Sequence, residues 1–111
     1  MMNEKDRIRL QHMLEAAGKA ELFISGKERK DLDDNEQLCL AVTRLVEIVG
    51  EAAWALSEEF KEEHHTVPWR AIIGARNRLV HGYFDVDYDI LWNILARDLP
   101  QLANSIRELL D

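Results

Sequence analysis

The sequence predicts an all-α protein, an antiparallel bundle of four to five helices. Three observations lead there. Apolar residues recur at helical spacing in every long segment, no segment alternates with the period of two that a strand requires, and Gly or Pro falls between the periodic stretches. A chain of 111 residues is long enough for one modest core and too short for two, so residues 1–111 read as a single helical domain.

Asn3, with Asp6 three residues on, resembles a helix start, and Leu10, Met13, Leu14, Ala17, Ala20 and Ile24 make one apolar face before Gly26 ends it. Lys27 to Leu32 is charged and reads as a solvated loop. Asp33 with Glu36 suits the cap of a second helix, expected to run to Phe60. Its Leu38, Val42, Leu45, Val49, Ala52 and Leu56 step in fours and threes, a seam for neighbouring helices. Val67-Pro68-Trp69 breaks the pattern and puts Pro68 at the first turn of a third helix, expected to stop at Gly82. Asp85 or Asp87 can cap a fourth. There Leu91, Leu95, Leu99, Leu102, Ile106 and Leu109 again step in fours and threes, in phase through Pro100, which predicts one kinked helix rather than two.

The net charge of −7 argues against an indiscriminate binder of phosphate backbones. Residues 64–84 depart from that average, with Arg70, Arg76 and Arg78 and no Asp or Glu. A small cationic island on an acidic body suits a local anionic ligand, although a core-facing helix that merely lacks acids gives the same count. No apolar run is long enough to span a bilayer, and the start lacks a basic-then-apolar signal pattern, so a cytoplasmic protein is expected. Cys39 alone excludes an internal disulfide and a thiolate metal cluster, and it reads as a small hydrophobe. His12, His64 and His65 lack metal-ligand spacing, so no metal or cofactor is expected. Trp54, Trp69 and Trp92 read as core or interface aromatics, with base stacking open to one of them.

The chemistry concentrates in Arg76-Asn77-Arg78-Leu79-Val80-His81-Gly82-Tyr83. Trp69, Ile72, Ile73, Leu79 and Val80 fall on one helical face, and Arg76 belongs on it too. A guanidinium facing a core needs a partner or solvent. Arg76 and His81 stand about 140° apart on a straight helix. They converge only if the last turn unwinds before Gly82, or if two copies meet across an axis. Asn77 and His81, four apart, share a helical face. Arginine is a permanent forked donor for phosphate, and histidine takes and gives a proton near neutral pH. The pair is sufficient in principle to cleave RNA through the ribose 2′-hydroxyl without a metal; caps and surface charges are the commoner use of an Arg and a His at a helix end. Glu51, at the edge of the second helix's seam, is placed to pair with Arg76 or to be an ordinary exposed glutamate. Arg78 reads as a flanking RNA or partner contact, or a solvated surface arginine. The ordinary reading of Tyr83 is a ring packed on the third helix.

Arg76-x4-His81-x-Tyr83 resembles the Arg-x4-6-His signature of HEPN domains. More closely, the chain is similar to the HepT-like toxins paired with minimal nucleotidyltransferase antitoxins. Gly50-Glu51-Ala52-Ala53, Val67-Pro68-Trp69, Ile72-Ile73-Gly74-Ala75-Arg76-Asn77, His81-Gly82-Tyr83-Phe84 and Leu99-Pro100 carry the likeness in order along the chain. It implies a homodimer whose two motifs face one composite cleft and a metal-independent endoribonuclease. In that reading His81 transfers the proton, Arg76 stabilises charge on the phosphorane, Asn77 positions phosphate or ribose, and Glu51 supports from behind. The nucleotidyltransferase partner would silence the enzyme by attaching AMP to Tyr83. The competing expectation is a non-catalytic helical dimer that binds a nucleotide, or only its nucleotidyltransferase partner, through the same cleft.

Overall fold

The computed structural model describes residues 2–81 and 85–111, His81 by its backbone. Its elements are α1 (Glu4–Ile24), α2 (Asp31–Asp34), α3 (Glu36–Ala55), α4 (Glu58–Glu63), α5 (Trp69–Ile73), α6 (Ala75–Leu79), β1 (Val80–His81), β2 (Asp85–Val86), α7 (Tyr88–Asn93), a π-helical segment (Ile94–Asp98) and α8 (Leu99–Leu110). The fold is all-α, with one antiparallel two-residue pairing of β1 with β2. That pairing was not expected: two residues per strand are too few to leave an alternating pattern.

The helices pack through the predicted faces. α1 lies along α3 and α8, and α3 also carries α5 and α6. All six seam residues are buried, five on α3 and Leu56 just past its end, as are Leu10, Met13, Ala17 and Ala20 of α1, and Leu91, Leu95, Leu99, Leu102 and Ile106 of the C-terminal helix; they form one cluster. Burying each such Leu, Ile or Val stabilises the fold by about 1.5–3 kcal/mol before entropy is counted. Gly26, at φ 74°, turns the chain after α1 as expected.

Four expectations about boundaries are corrected. The segment read as a solvated loop is one only through Lys30: α2 starts at Asp31, and Leu32 is buried. Asn35, not Asp33, caps α3, its side chain accepting from the Leu38 amide at 3.0 Å. α3 ends at Ala55 rather than Phe60, because Leu56 turns extended and Ser57 opens α4 by accepting from the Phe60 amide. The third helix is broken at Gly74 and ends at Leu79, short of Gly82. Asp87 is the cap of α7, accepting from the amides of Asp89 and Ile90.

Asp6 has a role beyond the first turn of α1. It is 3% exposed, and its two carboxyl oxygens accept from the Ser57 amide at 2.9 Å and the Ser57 hydroxyl at 2.7 Å. One side chain thus ties the start of α1 to the α3–α4 junction. The helix through Pro100 is continuous, as predicted, but it contains the π turn immediately before the proline. A proline lacks the amide that would close an α turn and crowds the carbonyl four residues back, and widening the preceding turn relieves both. Trp54, read as a core or interface aromatic, is 71% exposed on α3, whereas Trp69 is buried and its indole donates to the His64 carbonyl at 3.0 Å.

Candidate active site

α6 is five residues long, and its orientation is set by two neighbours. Ala75 and Leu79, four apart, are buried and pin one side of it to the core. Gly50 lets the preceding α5 approach α3 closely: a Cβ there would meet the Ile72 carbonyl oxygen at 3.3 Å and that of Ile73 at 3.6 Å. With Ala75 inward, Arg76 is turned outward.

This corrects the reading of Arg76 as a charge on the core face. Its side chain is 57% exposed, and Nε lies 3.7 Å from Glu47 Oε2. The stripe of Trp69, Ile72 and Ile73 does not run on through position 76, because the break at Gly74 resets the helical phase. Of the two readings of Glu51, the exposed glutamate holds: it is paired with Arg44 at 3.1 Å, and Glu47, one turn earlier on α3, lies 3.5 Å from Arg44 and takes Arg76. A surface pair at that distance is worth about 0–1 kcal/mol, so Arg76 is free to engage a stronger anion.

Arg76 stands on the edge of a hollow of about 480 Å³ between α3, α6, the β1–β2 pair and the start of α7. Its walls include Cys39, Thr43, Arg44, Glu47 and Tyr88. The Tyr88 pKa is raised, first by the adjacent Cys39 and then by burial, so the ring presents a neutral phenol at neutral pH. Arg29 lies over the Tyr88 ring and donates to Asp89 at 2.6 Å and to Asp33 at 2.8 Å, which fixes that wall. The Asp89 carboxylate is also the main cause of the raised Arg29 pKa.

The other motif residues divide. Arg78 is directed away from Arg76, to a second, more apolar hollow of about 350 Å³, where its Nη2 lies 3.5 Å from the Ala71 carbonyl oxygen. Two residues along a helix is more than half a turn, so the motif's two arginines cannot serve one phosphate within a protomer. Asn77 is exposed. His81 lies in β1 opposite Asp85, and Val80 before it is extended at φ −109° and ψ 118°. The helix therefore does unwind before His81, the condition set above for Arg76 and His81 to converge. The shared helical face of Asn77 and His81 lapses for the same reason. The His81 side chain and the whole of Tyr83 lie outside the described residues. Among those described, no group of three or more His, Cys, Asp or Glu is placed to hold a metal ion.

Sequence reasoning missed Thr43, Arg44, Glu47 and Tyr88. A signal was present for two of them: Thr43 and Glu47 follow Cys39 at steps of four beside the apolar seam, Cys39 and Thr43 buried and Glu47 half-buried.

A helical protein with a cationic motif at the end of a short helix, on the rim of a polar hollow, is the class defined so far. The family model for ribonuclease HepT-like proteins matches residues 13–109, and the chain belongs to that family. A protein of Caldanaerobacter subterraneus subsp. tengcongensis, provisionally named an RNase, is 36% identical over 101 residues, 91% of this chain and 90% of the relative. One of Methanocaldococcus jannaschii, also provisionally named an RNase, is 34% identical over 97 residues, 87% of this chain and 89% of the relative. A Thermococcus cleftensis protein named as a probable ribonuclease HepT is 39% identical over 69 residues, 62% of this chain and 63% of its own length. No solved structure matches the chain.

Proposed function

We propose that this protein is a metal-independent endoribonuclease, the toxin of a pair whose nucleotidyltransferase partner silences it. The observation that carries the reading is Arg76: at the family's motif position it is exposed, weakly held by Glu47, and poised over a polar hollow. His81 removes the ribose 2′-hydroxyl proton, O2′ attacks phosphorus, and the P–O5′ bond breaks as O5′ gains a proton. The products are a 2′,3′-cyclic phosphate and a 5′-hydroxyl. Arg76 offsets the charge that builds on the phosphorane oxygens. Asn77 contacts phosphate or ribose, and Arg78, on the opposite side of α6, serves RNA beyond the cut site. The test is incubation of the purified, unmodified protein with total RNA in EDTA, followed by mapping of 3′ ends. Cyclic phosphate ends at defined sites support the reading; intact RNA, or cleavage that stops in EDTA, sinks it.

The homodimer in this reading has a candidate face. Along the outer side of α3, Leu40, Arg44, Glu47, Glu51 and Trp54 step 4-3-4-3, with Leu40 63% exposed and Trp54 71% exposed at the two ends. Antiparallel pairing about an axis near Glu47 sets Leu40 of each copy against Trp54 of the other and Arg44 against Glu51, a self-complementary pattern of the kind a twofold contact requires. The axis then passes close to Arg76, which makes the cleft composite. Trp54→Glu combined with Leu40→Glu is expected to turn the dimer into a monomer in analytical ultracentrifugation while helicity is kept. A dimer that survives both changes rules this face out.

Attachment of AMP to Tyr83 would add a bulky anion to the motif and repel substrate phosphates. Tyr83→Phe is expected to leave the protein unmodified when it is incubated with a nucleotidyltransferase partner and ATP. Mass spectrometry that still finds AMP on the chain would move the acceptor elsewhere.

A further inference from the structure

We infer that the Leu40 end of the hollow is a socket for Trp54 of a second copy of this chain, with the Thr43 hydroxyl accepting from its indole N–H. The inference deepens the homodimer reading and rests on the twofold α3 face proposed above. Its own support is an acceptor, a donor and a direction.

The acceptor is Thr43. It is 8% exposed, lines the hollow three residues after Leu40, and its Oγ1 has no hydrogen-bond partner, the one such buried side-chain atom among the described residues. A hydroxyl in mid-helix ordinarily donates to the carbonyl one turn back, and a buried one left unpaired is costly. The donor is Trp54. It is 71% exposed, and its indole N–H has no acceptor among the described residues, whereas the buried Trp69 indole has one. Lys61, its side chain 10% exposed, donates to the Trp54 carbonyl at 3.3 Å and pairs with Glu58 at 3.1 Å, which holds the last turn of α3 in place. Tryptophan is enriched among the side chains that anchor interfaces, where the ring fills a pocket and the N–H finds an acceptor.

The direction follows from helix geometry. Side chains on a helix lean towards its N-terminus. In antiparallel pairing about Glu47, α3 of the second copy runs backwards past this one. Its Trp54 therefore starts opposite Leu40 and leans towards Thr43. Leu32, Cys39 and Leu40 give that end of the hollow its apolar wall. The hollow, about 480 Å³, is larger than one indole fills. Leu40 and Glu47 are seven residues apart, about 10 Å along α3, so the Arg76 end stays open to a phosphate. The second copy thus completes the hollow that Arg76 overlooks.

The experiment measures the dimer dissociation constant of the full-length, unmodified protein by fluorescence-detected sedimentation, for the parent, Thr43→Val, Trp54→Phe and the two together. A twofold axis makes the bond twice per dimer, so Thr43→Val, nearly the same shape, should raise the constant about tenfold or more. Trp54→Phe keeps a ring and removes the N–H. In that background Thr43→Val should change the constant by less than about twofold, because the bond it breaks is already gone. Thr43→Ser, which keeps the hydroxyl, should stay near the parent. An unchanged constant for Thr43→Val, or the same effect of it with and without the indole N–H, overturns the inference. Protein that stays monomeric at micromolar concentration removes the socket and the α3 face together. The readings fail apart. A dimer that fails this cycle leaves the homodimer and the ribonuclease standing; one that passes it without cleaving RNA keeps the socket and removes the ribonuclease.

Discussion

With alanine at His81, RNA cleavage is expected to fall by about 10²–10⁴-fold, the usual worth of a positioned proton-transfer group. The pH dependence that an imidazole imposes near neutrality should flatten with it. Alanine at Arg76 is expected to cost about 10²–10³-fold, as for other preorganised donors to a developing oxyanion. Arg76→Lys should recover part of that loss, because it keeps the charge and loses the planar fork. Neither change should disturb the fold. Arg76 is exposed and its pair with Glu47 contributes about 0–1 kcal/mol, while Val80 and His81 belong to a two-residue strand at the edge of the bundle. The checks are initial rates on a single RNA oligonucleotide, circular dichroism and dimer size. If His81→Ala cleaves within tenfold of the parent protein while folded, the proton-transfer role is lost.

The largest expected effect on stability comes from a residue with no part in the chemistry. Asp6→Ala removes the acceptor for both the Ser57 amide and the Ser57 hydroxyl at a buried junction. Two donors left unsatisfied cost about 2–3 kcal/mol together, which for a domain of this size lowers Tm on the order of 10 °C. Asp6→Asn keeps one acceptor oxygen and should lose less. Thermal unfolding of the three proteins decides it, and equal midpoints would show that the contact is not a determinant of stability. RNA cleavage by Asp6→Ala, measured well below its midpoint, should match the parent.

What could be read from the sequence was what repeats. The faces of α1, α3 and the C-terminal helix follow from apolar spacing because a helix that buries a stripe must repeat it. The π turn left a trace that the reading of one unbroken phase passed over: Leu91, Leu95 and Leu99 make two consecutive steps of four, one residue more over two turns than an alternation of fours and threes allows. The breaks were harder. Ser57 with Glu58 and Glu59 is a local helix-start signal that the seam's even steps overrode, while the tie of Ser57 to Asp6, 51 residues away, is announced by nothing near Leu56. The site was half legible. Arg76 stood out as a charge in an apolar phase, but that phase stopped at Gly74, and the partner and the hollow came from other helices. Glu47 and Tyr88 become neighbours of the motif only through packing, which periodicity cannot register.

Likeness to other proteins and physical integrity need not share a boundary. The family match opens at Met13, well inside α1, whereas Leu10 is fully enclosed and Asp6 holds the far junction. A fragment trimmed to residues 13–109 would keep every residue of the candidate site and discard the first turns of α1. It would present a vacant groove along α3 and a bared Ser57. For anyone designing a minimal version of this protein, the safe place to cut lies before Asn3, where the first helix begins, and not where the family likeness begins.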